Sequence, residues 1–258
     1  MMGINKAFIA PKNFLDLSNM GDFLLVLAQD LDDPLYVKAV QSSTVYLDNG
    51  AHEGEFKGID WYLEQIEKIN PDVVFAPDVI NDPAESFRLT NEFIDRVLEK
   101  YYGVGIPFKI AAVPHGNDPA EYAKYYDQFL KNTAVSMIGI SYLDPARFYP
   151  KIPSSDARRK LLQRLTMFTF KKPAHLLGAS DGFSDIMYAR GLEWVHSWDS
   201  STAFMHGYDG GRFVGKDIDK GKPRTLDPKI TELTKEQRQN ILYNITFLKN
   251  DFKPPEAS

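Results

Sequence analysis

The feature that most constrains this chain is a recurrence of short, nearly continuous apolar runs: "FLLVLAQ" from 23, "STVYLD" from 43, "DVVFAPD" from 72, "KIAAVPHG" from 109, "VSMIGIS" from 135, "AHLLGAS" from 174 and "WVHSW" from 194. Strands that are apolar on both faces need cover on both faces, as in a parallel sheet flanked by helices. Helical patterns fill the intervals. Ile59, Tyr62, Leu63, Ile66 and Ile69 share one helix face, as do Phe87, Phe93, Ile94, Val97 and Leu98, and later Leu161, Leu162, Leu165 and Phe168. The pentapeptide "NDPAE", at 81–85 and again at 117–121, marks two helix starts: Asp82 and Asp118 as N-caps, Pro in the first turn, and a Glu three residues on to complete a capping box. This β-α order over 258 residues predicts an α/β fold, a (β/α)8 barrel spanning 1–258 as one domain, with a doubly wound open sheet as its rival. The last strand is the weak point, because 207–233 is rich in Gly, Lys, Asp and Pro and shows no convincing run. A closing helix is expected at about 234–250, opened by Thr234 with Gln237 at the capping-box position and carrying Ile241, Ile245 and Leu248 on one face.

Composition removes several classes of function. The apolar runs are far too short to cross a bilayer and no secretory leader is evident, so a soluble, cytoplasmic protein without membrane partners is expected. The absence of cysteine excludes disulfides, thiolate catalysis and cysteine-ligated zinc. A net charge of −5 argues against attraction of nucleic acid over the whole surface and leaves phosphate contacts to a local basic stripe.

In either α/β architecture, chemistry gathers at the carboxyl ends of the strands. The polar residues that end the runs are Asp48, Asp78, His115, Ser141, Ser180 and Asp199. Carboxylates brought to one mouth split their pKa values and suit acid/base or nucleophilic work. The plainer alternative, that each Asp caps the next helix, is weakened at Asp78 because Asp82 already takes that role. Asp48, His52 and Glu53 have a spacing open to a metal, and His175 and His196, inside apolar runs, read as core residues. The glycines at 103–105 and 207–211 are too sparse for a nucleotide loop.

Taken together, "VYLDNGAHE", "DVVFAPDVINDPAE", "AAVPHG", "MIGIS", "HLLGASDGFSDIMYARGLEWV" and "SWDSSTAF" resemble, in this order, the signature segments of the tRNA-guanine transglycosylase superfamily. The likeness is greater to its phage branch, the 7-deazaguanine DNA transglycosylases, and covers roughly 43–207. The resemblance implies that Asp199 is the nucleophile and Asp48 the general acid/base. It implies that Asp78 bonds the pyrimidine edge of the base, with Asn49 and Gly50 of "LDNGA" beside it. His115 falls in the place of a base-contacting glutamine, and Gly139 with Ile140 in that of the backbone segment that closes the pocket. It further implies no cofactor and no catalytic metal. The family's tRNA enzymes carry a zinc subdomain with three cysteines and a histidine, which this sequence lacks, so the implied partners are DNA with a guanine target and a free 7-deazaguanine base, such as 7-cyano-7-deazaguanine, in preference to tRNA.

The chemistry is coherent in itself. Base exchange without backbone cleavage needs attack at the anomeric carbon by a carboxylate, and a second acid to protonate the leaving base and deprotonate its replacement. A guanine inside a duplex must be flipped out, with Phe75, Trp198 or Phe204 as candidates to stack on it. Phosphate contacts are expected from Lys216, Lys220, Lys222 and Arg224, whereas Arg158, Arg159, Lys160, Arg164, Lys171 and Lys172 read as a solvated helix face. The alternatives are a tRNA-guanine transglycosylase, a non-catalytic nucleobase-binding barrel, and a barrel glycosidase or aldolase.

Overall fold

Eight parallel strands form one sheet in the order β1-β8-β7-β6-β5-β4-β3-β2. They are β1 (Asn5–Phe8), β2 (Leu24–Leu27), β3 (Val45–Asp48), β4 (Val73–Phe75), β5 (Lys109–Ala112), β6 (Val135–Ser141), β7 (Ala174–Leu177) and β8 (Val195–Ser200). The structure, a computed structural model, describes residues 3–179, 182–214 and 226–255. Helices follow the strands: α1 (Leu15–Ser18), α2 (Pro34–Val40), α3 (Ile59–Ile69), α4 (Pro83–Lys100), α5 (Pro119–Lys131), α6 (Leu143–Phe148), α7 (Ser154–Leu165), α8 (Ser184–Ala189), α9 (Thr202–Tyr208) and α10 (Lys235–Lys249). The chain is a (β/α)8 barrel. None of the described helices is long and apolar enough to cross a membrane.

The strand missing from the sequence pattern is at the other end of the chain. β1 pairs with β8 in parallel, Ala7 opposite Asp199. Between β1 and β2 one residue closes the seam: the Asp22 backbone N–H donates to Lys6 O at 2.7 Å, and the Lys6 N–H donates to Asp22 Oδ2 at 2.8 Å.

Alternation along the strands divides the core in two. Ala7, Phe23, Tyr46, Val73, Phe75, Ala111, Val113 and Met137 fill the barrel interior. The opposite parity, including Leu24, Leu47, Val74, Ile110, Ile138, Ile140, Leu176 and Trp198, packs outward against Tyr62, Phe93, Phe129, Leu161 and Ile241 of the helices. Helix starts follow their chemistry. Asp82 accepts from Glu85 N and Asp118 from Ala120 N and Glu121 N. Neither NDPAE copy forms the full box, because Glu85 turns to Arg88 and Glu121 accepts from Asn117 N. Thr234 and Gln237 do form one at the start of α10, which buries Ile241, Ile245 and Leu248. Leu98, expected on the apolar face of α4, is 46% exposed in the helix's last turn.

Candidate active site

The carboxyl ends of the strands surround a cavity of about 810 Å³, lined among others by Asp30, Asp48, Asn49, Glu53, Asp78, His115, Ser141, Gly178 and Asp199. Period-two alternation places Asp48 above Tyr46 and Asp199 above Ser197, so both carboxylates rise from inward-facing positions.

Asp48 is both turn acid and cavity acid. Its Oδ1 accepts from Gly50 N at 2.8 Å, an Asx turn, and Gly50 takes φ +74°, where a Cβ would meet the Gln29 side chain at 2.3 Å. The residue is half-buried at the cavity wall. Burial pushes its carboxyl up to about 7; the Gly50 N–H acts against this, and the neighbouring charges of Asp78, Glu53 and Asp199 add to it. Asp30, on the same rim, is pushed up to about 6 by burial, then by Glu53 and Asp33, with Lys12 and the Leu27 backbone bond opposing.

Asp199 is 7% exposed and is held from two sides: His175 Nε2 lies 2.9 Å and the Gly178 N–H donor 3.0 Å from its Oδ1. His175 is thus the core residue expected, fully buried, and its other nitrogen is 2.8 Å from Ser197 Oγ. His196, on the opposite parity of β8, is exposed rather than core.

Asp78 anchors a polar chain. Asn49 Nδ2 donates to its Oδ1 at 2.9 Å, and His115 Nε2 is 2.7 Å from its Oδ2. The other His115 nitrogen is 2.8 Å from Asp144 Oδ2, and Asp144 in turn pairs with Arg147. Burial works against a charge on His115, yet hydrogen bonds to Asp144 and Asp78 and their charges prevail and raise its pKa to about 9. Both ring nitrogens of His115 thus serve protein carboxylates. Thr90 Oγ1 donates to Pro77 O at 2.9 Å, and the Tyr62 hydroxyl reaches Leu47 O and Phe75 O at 3.1 and 2.9 Å, fixing the ends of β3 and β4.

Sequence reasoning missed the support beneath the β6 and β7 ends. Arg158, expected on a solvated face, is fully buried: Nε bonds Asp185 Oδ2 at 2.6 Å, Nη1 reaches Ile140 O and Leu177 O at 3.2 and 2.7 Å, and Nη2 reaches Gly178 O at 2.5 Å. With an anionic partner and three carbonyls, every nitrogen of the buried guanidinium has an acceptor. Lys172 is likewise spent on the Phe129, Asn132 and Val135 carbonyls. Asp185 and Asp144 look like ordinary helix-start acids in sequence, which hides their roles.

Other expected positions fall at varying distance from the cavity. Gly139 lies a layer below it, where a Cβ would stand 2.8 Å from Val113 Cγ2, and Ile140 points outward; Ser141, Tyr142 and Leu143 supply the β6 wall. Phe75 is in the barrel interior, Trp198 packs on Phe8 and Phe183, and Phe204 on Phe14; among the described residues the cavity lining includes the rings of Tyr36 and Tyr142 instead. Asp48, His52 and Glu53 share the lining, but among the described residues no group of three such side chains is arranged to hold a metal ion. Ser180, Lys216, Lys220, Lys222 and Arg224 lie outside the described residues. In comparison with known proteins, the chain matches no family model and no curated protein.

Proposed function

We propose that this chain is a base-exchanging glycosyltransferase that replaces guanine in DNA with a 7-deazaguanine base. The observation that carries the reading is a pair of unlike carboxylates on one cavity: Asp48, whose carboxyl is raised to about 7, and Asp199, oriented through Oδ1 by two donors. Such a pair suits double displacement. Asp199 attacks C1′ of the flipped deoxyribose, the bond to guanine breaks, and the Asp48 carboxyl passes its proton to the departing base. The incoming base gives its ring N–H proton back to Asp48, and its nitrogen attacks C1′ and expels Asp199. The resemblance of six strand-end segments to the transglycosylases supports the same roles, and the greater likeness to the 7-deazaguanine DNA branch favours DNA over tRNA.

The test is exchange itself. Duplex DNA and bulk tRNA are incubated separately with the protein and radiolabelled guanine, and plasmid from cells supplied with a 7-deazaguanine is digested to nucleosides for mass analysis. Label in DNA and a 7-deazaguanine deoxynucleoside are expected. Label in tRNA alone would transfer the reading to RNA, and label in neither would remove it.

A further inference from the structure

The interior of a (β/α)8 barrel is ordinarily filled by apolar side chains. Here one interior position holds His175, with no exposed surface, inside a ring of aromatics: Phe23, Tyr46 and Phe75 at centroid distances of 5.8, 5.7 and 5.3 Å. A buried imidazole is tolerated when both nitrogens are bonded, and this one has Ser197 Oγ at 2.8 Å on Nδ1 and Asp199 Oδ1 at 2.9 Å on Nε2. A carboxylate only accepts, so Nε2 carries a proton. The aromatic walls prevent the ring from swinging away, and Ser197, two residues before Asp199 on the same strand, fixes its far side.

We propose that His175 is a positioning residue for Asp199. Together with the Gly178 N–H, it holds Oδ1 and so turns Oδ2 toward the sugar carbon. This rests on Asp199 being the nucleophile. The ring touches neither sugar nor base, so its effect is on the geometry of attack and not on binding. A carboxylate free to rotate loses the near-attack arrangement, and a misplacement of about 1 Å costs on the order of 100-fold in rate.

Two variants and one spectrum test it. His175→Phe keeps the aromatic packing and loses the N–H; His175→Gln keeps an N–H donor at similar reach. We expect His175→Phe to lower kcat and the single-turnover rate of the covalent DNA adduct by about 100-fold, with KM for DNA held within about twofold. His175→Gln should recover at least about tenfold of that loss. Wild-type rates in His175→Phe would overturn the proposal. So would equal losses in both variants with no recovery by Gln, which is the outcome of a purely structural role. Ring 15N spectra of the wild-type protein give a readout independent of turnover: a protonated Nε2 is expected, lost or shifted in Asp199→Asn, and a bare Nε2 overturns the link. A protein with the protonated Nε2 that exchanges no base in DNA or tRNA instead refutes the transglycosylase reading, and the catalytic meaning of the link with it.

Discussion

His115 Nε2 and Asp78 Oδ2 stand 2.7 Å apart, on a ring whose other nitrogen faces the buried Asp144. A histidine so placed is a cation at neutral pH, raised from an ordinary 6.5 to about 9. Because the folded state holds this proton more tightly than the unfolded chain, the linked stability is fully present below about 6.5 and is lost as pH rises through about 9. The difference corresponds to roughly 3 kcal/mol. Denaturant melts from pH 6 to 10 should show this loss in wild type and a flatter curve in His115→Gln; parallel curves would show that His115 is not charged in the fold.

Asp48→Asn separates turn from chemistry. Asn retains an oxygen for the Gly50 N–H, so the turn should survive. The raised carboxyl of Asp48 is a liability to the fold: its ionisation, easy in the unfolded chain near pH 4, is held off to about 7, so this group subtracts stability as pH climbs between those values. The variant should therefore be at least as stable as wild type at pH 8, while exchange falls by about 10² to 10⁴. The inflection near pH 7 expected in wild-type kcat/KM should vanish. An Asp48→Asn protein that exchanges bases at the wild-type rate would return the stretch to a plain turn.

Asp199→Asn should abolish exchange and the covalent protein–DNA adduct while leaving the circular dichroism spectrum unchanged. Denaturing gels of protein with labelled DNA are the measurement, and an adduct formed by the variant would rule out this carboxylate as nucleophile.

Arg158 and Asp185 should behave as a buried pair. Arg158→Met strands the Asp185 carboxylate and three carbonyls, at an expected cost of about 3–5 kcal/mol in denaturant melts. Adding Asp185→Leu should return much of that loss, since the uncompensated charge disappears with its partner. Additive losses in the double variant would contradict the pairing.

The barrel was legible because seven of its strands are short, nearly continuous apolar runs between amphipathic helices. β1 was not, because the polar Asn5 and Lys6 interrupt its apolar run, and Lys6 is a charge buried to 8% exposure with Nζ against Asp251 at 3.2 Å. Asp48, Asp78, His115 and Asp199 could be picked out because a polar residue ending an apolar run stands out. His175 could have been found too: it shares parity with Leu177, and parity two residues below Asp199 selects Ser197 as its neighbour. Arg158 could not, since in sequence it is one cation among several on a helix, and only the carbonyl ends of β6 and β7 reveal what it binds.

The Asp22 seam bears on how the chain reaches this state. Strand β1 is synthesised before its ladder partner β8, which follows almost two hundred residues later. During that interval the two bonds between Lys6 and Asp22 offer β1 a local staple that holds its outer edge in line beside β2. The β1–β8 pairing is one of high sequence separation and hence a slow one. The strand that carries Asp199 therefore has β7 as one neighbour and the sequence-distant β1 as the other, so the candidate site is complete only when that long-range pairing is made.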